Sequence, residues 1–189
     1  EWSNKVMSIK KICVVTGSRA EYGLIKPLLM KLKDDQDIKL QLVVTGMHLK
    51  EKFGFTINEI EEDNFDIFKK IDIMPDSNNH NFLSESLSKG IEKFSKFFSK
   101  NKPHLLIVLG DRFEILSCSI SAYFLNIPIG HINGGETTEA AFDEGIRHSI
   151  SKMSYLHFPS TELYRKRIIQ LGESPERVYN VGGLFIDSI

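Results

Sequence analysis

The order of its apolar segments predicts an α/β fold, a Rossmann-like, doubly wound parallel sheet, on three observations. Short, continuous, β-branched runs recur along the chain, segments with apolar residues at helical spacing lie between them, and glycine and polar residues follow the runs almost at once. A run that is apolar throughout must bury both faces, as strands do in parallel sheets covered by helices on each side. Alternation of strand and helix then favours right-handed crossovers.

The elements follow in order. Lys11-Ile12-Cys13-Val14-Val15 is the first strand. Tyr22 to Lys33 reads as a helix, with Leu24, Ile25, Leu28, Leu29 and Leu32 on one face and lysines on the other. Leu40-Gln41-Leu42-Val43-Val44 is the second strand. Ser84 to Lys100 repeats Leu87, Ile91, Phe94, Phe97 and Phe98 at helical spacing, and Leu105-Leu106-Ile107-Val108-Leu109 is a strand again. Phe113 to Leu125 and Glu144 to Tyr155 read as helices on either side of the strand Ile127 to Ile132. His157-Phe158-Pro159-Ser160 passes from strand to loop, Ser160-Thr161-Glu162 caps a helix through Leu171, and Val178 to Gly182 is a last strand. The Phe and Leu stripes are core packing rather than a cofactor box. Met7, directly before Ser8-Ile9-Lys10-Lys11, reads as the initiator, so one domain is set at residues 7–189. No internal repeat, low-complexity tract or linker divides it.

Composition removes several classes of function. With 41% hydrophobic and 26% charged residues in 189, the chain can bury an ordinary core. A formal net charge of −1 gives no global field for nucleic acid or anionic lipid. No stretch has the length of a membrane span, and no signal peptide is recognised before the first strand. Cys13 and Cys118, the two cysteines, both lie in apolar runs and read as buried, inert thiols rather than a disulfide. The expectation is a cytoplasmic protein without nucleic-acid or membrane partners. His48, His131 and His148 lack metal-ligand spacing, and no C-x-x-C occurs, so no metal is expected.

In a doubly wound sheet, ligands bind beyond the carboxyl ends of the strands. The residues there are Thr16 to Glu21, Thr45-Gly46-Met47-His48, Gly110-Asp111-Arg112, Asn133-Gly134-Gly135-Glu136 and Gly182-Gly183. Gly17 and Ser18 open a helix whose N-terminus can cradle a phosphate, and Arg19 either contacts that ligand or pairs with a nearby acid. G-x-G-x-x-G is absent, and so is a P-loop. Asp111 is either the N-cap of the helix that follows or a carboxylate at the cleft floor, where desolvation suits it to proton transfer. Asp143 lies four residues before Arg147, and the two read as an ion pair at a helix start. Asp111, Glu136 and Asp143 all emerge at the ligand edge, and carboxylates sharing a cleft separate into acid and base. They are the expected catalytic group.

Gly17-Ser18-Arg19-Ala20-Glu21-Tyr22-Gly23, Val44-Thr45-Gly46-Met47-His48, Gly110-Asp111-Arg112-Phe113-Glu114, Gly134-Gly135-Glu136 and Asp143-Glu144-Gly145-Ile146-Arg147-His148-Ser149-Ile150 together resemble the hydrolysing UDP-N-acetylglucosamine 2-epimerases of sialic and legionaminic acid synthesis. The resemblance runs from Met7 to Ile189. It implies one half of a glycosyltransferase-B-like two-domain fold, the second, nucleotide-holding domain being absent from this chain. It also implies a UDP-sugar substrate, elimination of UDP from that sugar, hydration of the resulting glycal, and no nicotinamide or metal cofactor. Asp111 and Asp143 match acidic positions of that chemistry and Arg19 a phosphate-side contact. His48, Asn133, Arg147 and Gly182 complete the expected substrate-binding set. Asn133 stands where many relatives have glutamate and cannot shuttle a proton at neutral pH. Either Glu136 carries more of that work, or Asn133 orients an acetamido group, and a UDP-2,4-diacetamido-2,4,6-trideoxyhexose then joins UDP-N-acetylglucosamine as substrate. A sugar-nucleotide-binding module without turnover is the alternative from another class. The domain alone is expected to be inactive, and the full-length protein a homo-oligomer.

Overall fold

The computed structural model describes residues 9–76, 80–137, 142–184 and 186. Parallel strands β1 (Lys10–Thr16), β2 (Ile38–Thr45), β3 (Ile67–Ile71), β4 (Leu105–Leu109), β5 (Ile129–Ile132) and β6 (Leu156–Phe158) form one sheet in the order β3-β2-β1-β4-β5-β6. The strand order reverses between β1 and β4. The helices are α1 (Arg19–Asp34), α2 (Ile57–Glu62), α3 (Phe82–Lys100), α4 (Phe113–Phe124), α5 (Asp143–Met153) and α6 (Glu162–Gln170).

Successive residues of a strand point to opposite faces, and both faces are covered. Cys13, Val15, Leu106 and Val108 pack with Phe94 and Phe98 of α3, Ile115 and Cys118 of α4 and Ile150 of α5. Val14, Leu42, Ile107 and Leu109 pack on the other side with Tyr22, Ile25 and Leu29 of α1 and Ile57 and Ile60 of α2. Two-sided burial is why these strands read as unbroken apolar runs.

The departures from the expected elements have local causes. Strand β3 and helix α2 were not expected. β3 is an edge strand whose Phe68, Lys69 and Lys70 are exposed, so it carries no apolar run. The strand expected from Ile127 begins at Ile129, because Pro128 has no N–H to give and the Ile127 amide turns back to the Ala122 carbonyl at 2.9 Å. The strand expected over Val178 to Gly182 reduces to one bridge between His157 and Val178. Beyond it, Tyr179 and Val181 donate to the His157 and Pro159 carbonyls at 2.9 and 3.2 Å, so the segment follows β6 without becoming a ladder. Helix α5 ends at Met153 rather than Tyr155, whose amide bonds to the Ile129 carbonyl at 2.8 Å as the chain enters β6.

Candidate functional site

The loops leaving β1, β2, β4, β5 and β6 at their carboxyl ends are stitched to one another. Met47 N donates to Gly17 O at 2.8 Å, Gly110 N to Ile132 O at 3.2 Å, and Asn133 N to Phe158 O at 3.1 Å. Each bond satisfies a backbone group that the end of a strand would leave open. The result is a rim in two stitched parts, one on each side of the reversal between β1 and β4, with the Arg112 guanidinium of the β4 loop 3.3 Å from Met47 Sδ of the β2 loop.

At the first loop, Ser18 is the N-cap of α1, and Ser18 and Glu21 form a capping box. The Glu21 carboxylate also accepts from the amides of Gly17 at 2.7 Å and Ser18 at 3.1 Å. The two amides expected to cradle phosphate are therefore occupied from within. Arg19 makes the ion pair that was one of its two readings, Nε to Glu59 at 2.9 Å, with its side chain 73% exposed. His48, expected among the substrate-binding residues, lies beneath the rim in this structure. It is fully buried, its Nε2 lies 3.1 Å from Thr16 Oγ1 and its Nδ1 2.8 Å from Thr56 Oγ1, and it packs edge-on against Tyr22. Burial lowers its pKa to about 4, so the ring is neutral and braces the loop.

Asp111 is not a helix cap. Arg112 holds the N-cap position of α4 and makes no side-chain cap bond. The Asp111 carboxylate instead accepts from the guanidinium of Arg147, which reaches from α5 and is itself buried. Burial pushes the Asp111 carboxyl upward, Arg147 and Arg112 pull it down, and Asp143 pushes it up, with a net rise. The charge of Asp143 is felt at Asp111, Arg112 and Glu114 alike, so the start of α5 faces the loop before α4. Arg147, expected to serve Asp143 one helical turn away, thus spans to the acid of the neighbouring loop.

The fifth strand turns at Asn133, whose φ of 60° is left-handed, a conformation asparagine tolerates better than most residues. Its Oδ1 is buried without a hydrogen-bond partner among the described residues. Gly135 follows at φ 78°, where a Cβ would stand 2.5 Å from the Tyr164 carbonyl oxygen. Behind the turn, His131 Nε2 lies 2.8 Å from Gly110 O, which can only accept, so Nε2 carries the proton and Nδ1 accepts from Ser151 Oγ at 3.0 Å. Burial lowers His131 to about 4 as well.

Glu136 accepts from Ser160 Oγ at 2.8 Å, on the β6 side of the rim. The charges acting most on Asp111 are those of Arg147, Asp143 and Arg112. Of the expected trio of acids, Asp111 is therefore held by Arg147 and acted on by the charge of Asp143, while Glu136 is tied to Ser160. Gly182, at φ 81°, lies in the tail segment that bonds along Pro159.

Sequence reasoning passed over the floor of this rim. Glu21 and Glu114 are buried acids behind the first two loops, and Arg112 NH2 contacts Glu114 Oε1 at 3.2 Å. Their signal in the sequence was an acid four residues after the strand-end glycines Gly17 and Gly110, which is also how an ordinary first helical turn looks. Among the described residues, no group of three His, Cys, Asp or Glu side chains is placed to hold a metal ion, and no helix is long and apolar enough to cross a membrane. Cys13 and Cys118 are free and buried, and burial pushes both thiols upward.

A family model described as UDP-N-acetylglucosamine 2-epimerase matches residues 30–189. The chain is 52% identical over 176 residues to "Polysialic acid biosynthesis protein P7" of Escherichia coli, covering 93% of this chain and 45% of that protein. It is 46% identical over 178 residues to a "GDP/UDP-N,N'-diacetylbacillosamine 2-epimerase (hydrolyzing)" of Campylobacter jejuni, covering 94% and 46%. Its fold matches a crystal structure of UDP-GlcNAc 2-epimerase from Neisseria meningitidis bound to UDP-GlcNAc, with a TM-score of 0.84 at 22% identity, over 94% of this chain and 47% of that one. The chain spans about half the length of the curated relatives it matches.

Proposed function

Because the chain belongs to the UDP-N-acetylglucosamine 2-epimerase family, we propose that residues 7–189 are the N-terminal domain of a hydrolysing UDP-sugar 2-epimerase, completed by a second domain that holds most of the nucleotide. In that reaction a base takes the proton from C2 of a UDP-N-acetylhexosamine. The C1–O bond to UDP breaks, and the electron pair closes the C1=C2 double bond of a 2-acetamidoglucal. Water then adds, its hydroxyl to C1 and a proton to C2 on the opposite face, giving N-acetylmannosamine and UDP. Proton transfers and one C–O cleavage carry the chemistry, and it is redox-neutral.

The observation that supports this reading most is the Asp111–Arg147–Asp143 group at the strand-end rim. A half-buried carboxyl with a raised pKa next to a second acid suits one to give a proton while the other takes one. Arg147 holds Asp111 in place and offsets its charge as it turns over. Glu136, held by Ser160, is the further acid. Asn133, whose buried Oδ1 has no partner among the described residues, turns that oxygen to the N–H of the sugar's acetamido group when substrate binds. On the diphosphate side, Gly17 and Ser18 shape the loop and Arg19 exchanges Glu59 for phosphate. An exposed ion pair is worth only about 0–1 kcal/mol, so that exchange is easily driven. His48 braces this loop from beneath, and Gly182 lets the tail turn toward the second domain.

A second substrate is favoured by a specific observation. Relatives named as N,N'-diacetylbacillosamine 2-epimerases are 46% and 40% identical, whereas the UDP-N-acetylglucosamine 2-epimerase of Neisseria meningitidis is 30% identical. UDP-2,4-diacetamido-2,4,6-trideoxyglucose is therefore an equal candidate, in a cytoplasmic route to sialic- or legionaminic-type sugars. One assay tests the whole reading: UDP release by the full-length protein from each UDP-sugar, with and without Asp111→Asn. No release from either sugar rejects the epimerase and leaves a binding module. Near-normal release by Asp111→Asn removes Asp111 from the chemistry.

A further inference from the structure

Glu114 lies in the first turn of α4, fully buried, and the chemistry proposed above gives it no part. One carboxyl oxygen meets Arg112 NH2 at 3.2 Å, and the other is buried without a hydrogen-bond partner among the described residues. A buried acid so sparsely bonded is costly, and stability alone would favour an apolar side chain there. Its surroundings are the loops of the rim. A Cβ on Gly17 would stand 3.3 Å from Glu114 Cβ, and one on Gly46 2.7 Å from Glu114 Oε1 and 2.8 Å from Gly17 O. Gly46 has a φ of 60°, and the next amide, Met47 N, donates to Gly17 O. Arg112 NH2 also lies 3.3 Å from Met47 Sδ. Loops from β1, β2 and β4 thus close upon one carboxyl.

We propose that Glu114 is a positioning residue of the site, which through Arg112 sets the Gly17 and Gly46 loops in register with Asp111. The inference rests on the epimerase reading. It also gives the glycine at 46 a reason, since a Cβ there would displace the carboxyl or the Gly17 carbonyl. Arg112 stands between two acids: it pairs with Glu114 and its charge acts on Asp111. The groups facing Glu114 are Arg112, Glu21 from α1 and Asp143 from α5, and those facing Asp111 are Arg147, Asp143 and Arg112. Burial pushes Glu114 upward and lifts Glu21 to about 8, the charge of Glu114 adding to the rise at Glu21 and that of Asp143 to the rise at Glu114. A proton therefore stays on this pair at neutral pH, which allows two acids to share one guanidinium.

The test is Glu114→Gln and Glu114→Asp in the full-length protein, with kcat, KM and their pH profiles for UDP release. A loop displaced by about 1 Å costs about a hundredfold in rate, so Glu114→Gln should lower kcat by about that factor with little change in KM. The acid limb should move to lower pH, because the whole charge of Arg112 then bears on Asp111, and Glu114→Asp should recover part of the rate. A folded Glu114→Gln protein with unchanged kcat, KM and pH profile overturns the proposal. Two further measurements do not depend on turnover or on the variant being active. Infrared spectra of the unsubstituted protein should contain a buried protonated carboxyl at neutral pH that Glu21→Gln removes and Glu114→Gln shifts. Hydrogen exchange of the Met47 amide should quicken by about tenfold in Glu114→Gln as its bond to Gly17 weakens. Full ionisation of both acids at neutral pH, or unaltered Met47 exchange, also overturns it. If the unsubstituted full-length protein releases no UDP, the functional reading fails, and these two measurements still decide the role of Glu114.

Discussion

At the scale of single residues, Asp111 is defined by what surrounds it. Its neighbours in sequence, Gly110 and Arg112, suggest a helix cap, but its carboxyl turns away from the helix to the guanidinium of Arg147. Asparagine at 111 keeps the shape and loses the proton-transferring group. Positioned acid–base catalysis contributes about 10²–10⁴-fold, so Asp111→Asn should reduce turnover by that order, and the melting temperature should fall as the buried Arg147 loses its carboxylate. UDP release measured beside a thermal scan checks both halves of the expectation. His48 and His131 carry the opposite lesson. Their sequence positions at strand ends look functional, and the structure buries both with each ring nitrogen near a polar partner. Nothing in a single sequence separates a histidine that faces a ligand from one that braces the loop beneath it.

At the scale of elements, helices were legible wherever an apolar stripe faced the sheet, and their mutual packing was not. Helix α3 contains Gly90, which propensity alone would replace with alanine for a gain of about 1 kcal/mol. In the fold Gly90 lies against α4, where an added Cβ would stand 2.5 Å from Ser117 Oγ and 2.7 Å from Ser117 Cβ. Overpacking of this kind costs about 1–3 kcal/mol, so packing wins and Gly90→Ala should destabilise the protein. Denaturant unfolding decides it, and a more stable Gly90→Ala variant would contradict the close approach of the two helices. The tail after β6 is held by another element-level device. Glu173, buried, accepts from Lys152 Nζ at 2.5 Å and lies 3.3 Å from His157 Nε2, which ties the end of α6 to α5 and β6. Its partners are 16 and 21 residues distant in sequence, beyond the reach of any motif.

At the scale of the whole molecule, buried titrating groups should shape the response to pH. His48 and His131 stay neutral in the fold down to about 4, against an ordinary value of 6.5. Between those limits the unfolded chain binds protons that the folded one refuses, so acidification below about pH 6.5 destabilises the protein. His157 is lowered too and acts in the same direction. Glu21 works oppositely: raised from 4.5 to about 8, it holds its proton in the fold after the unfolded chain has released it, so stability falls as pH rises toward 8. Above the ordinary histidine value only the Glu21 trend remains, so thermal stability should fall from about pH 6.5 toward pH 8. A series of melting temperatures from pH 4 to 9 that rose steadily past pH 8 would refute this balance.

Periodicity and strand-end glycines determined, by themselves, the α/β class, five of the strands that the sheet contains and the edge at which the candidate acids lie. These are properties of neighbouring residues, since two-sided burial and tight turns leave their mark within a few positions. The tertiary structure alone decided that Arg147 serves Asp111, that Glu136 is bound to Ser160, that Glu21 occupies the amides of the first loop and that Glu114 lies beneath three loops. Each joins groups from different elements, and the field, burial and hydrogen bonds that fix a side chain's role arise only when those elements pack.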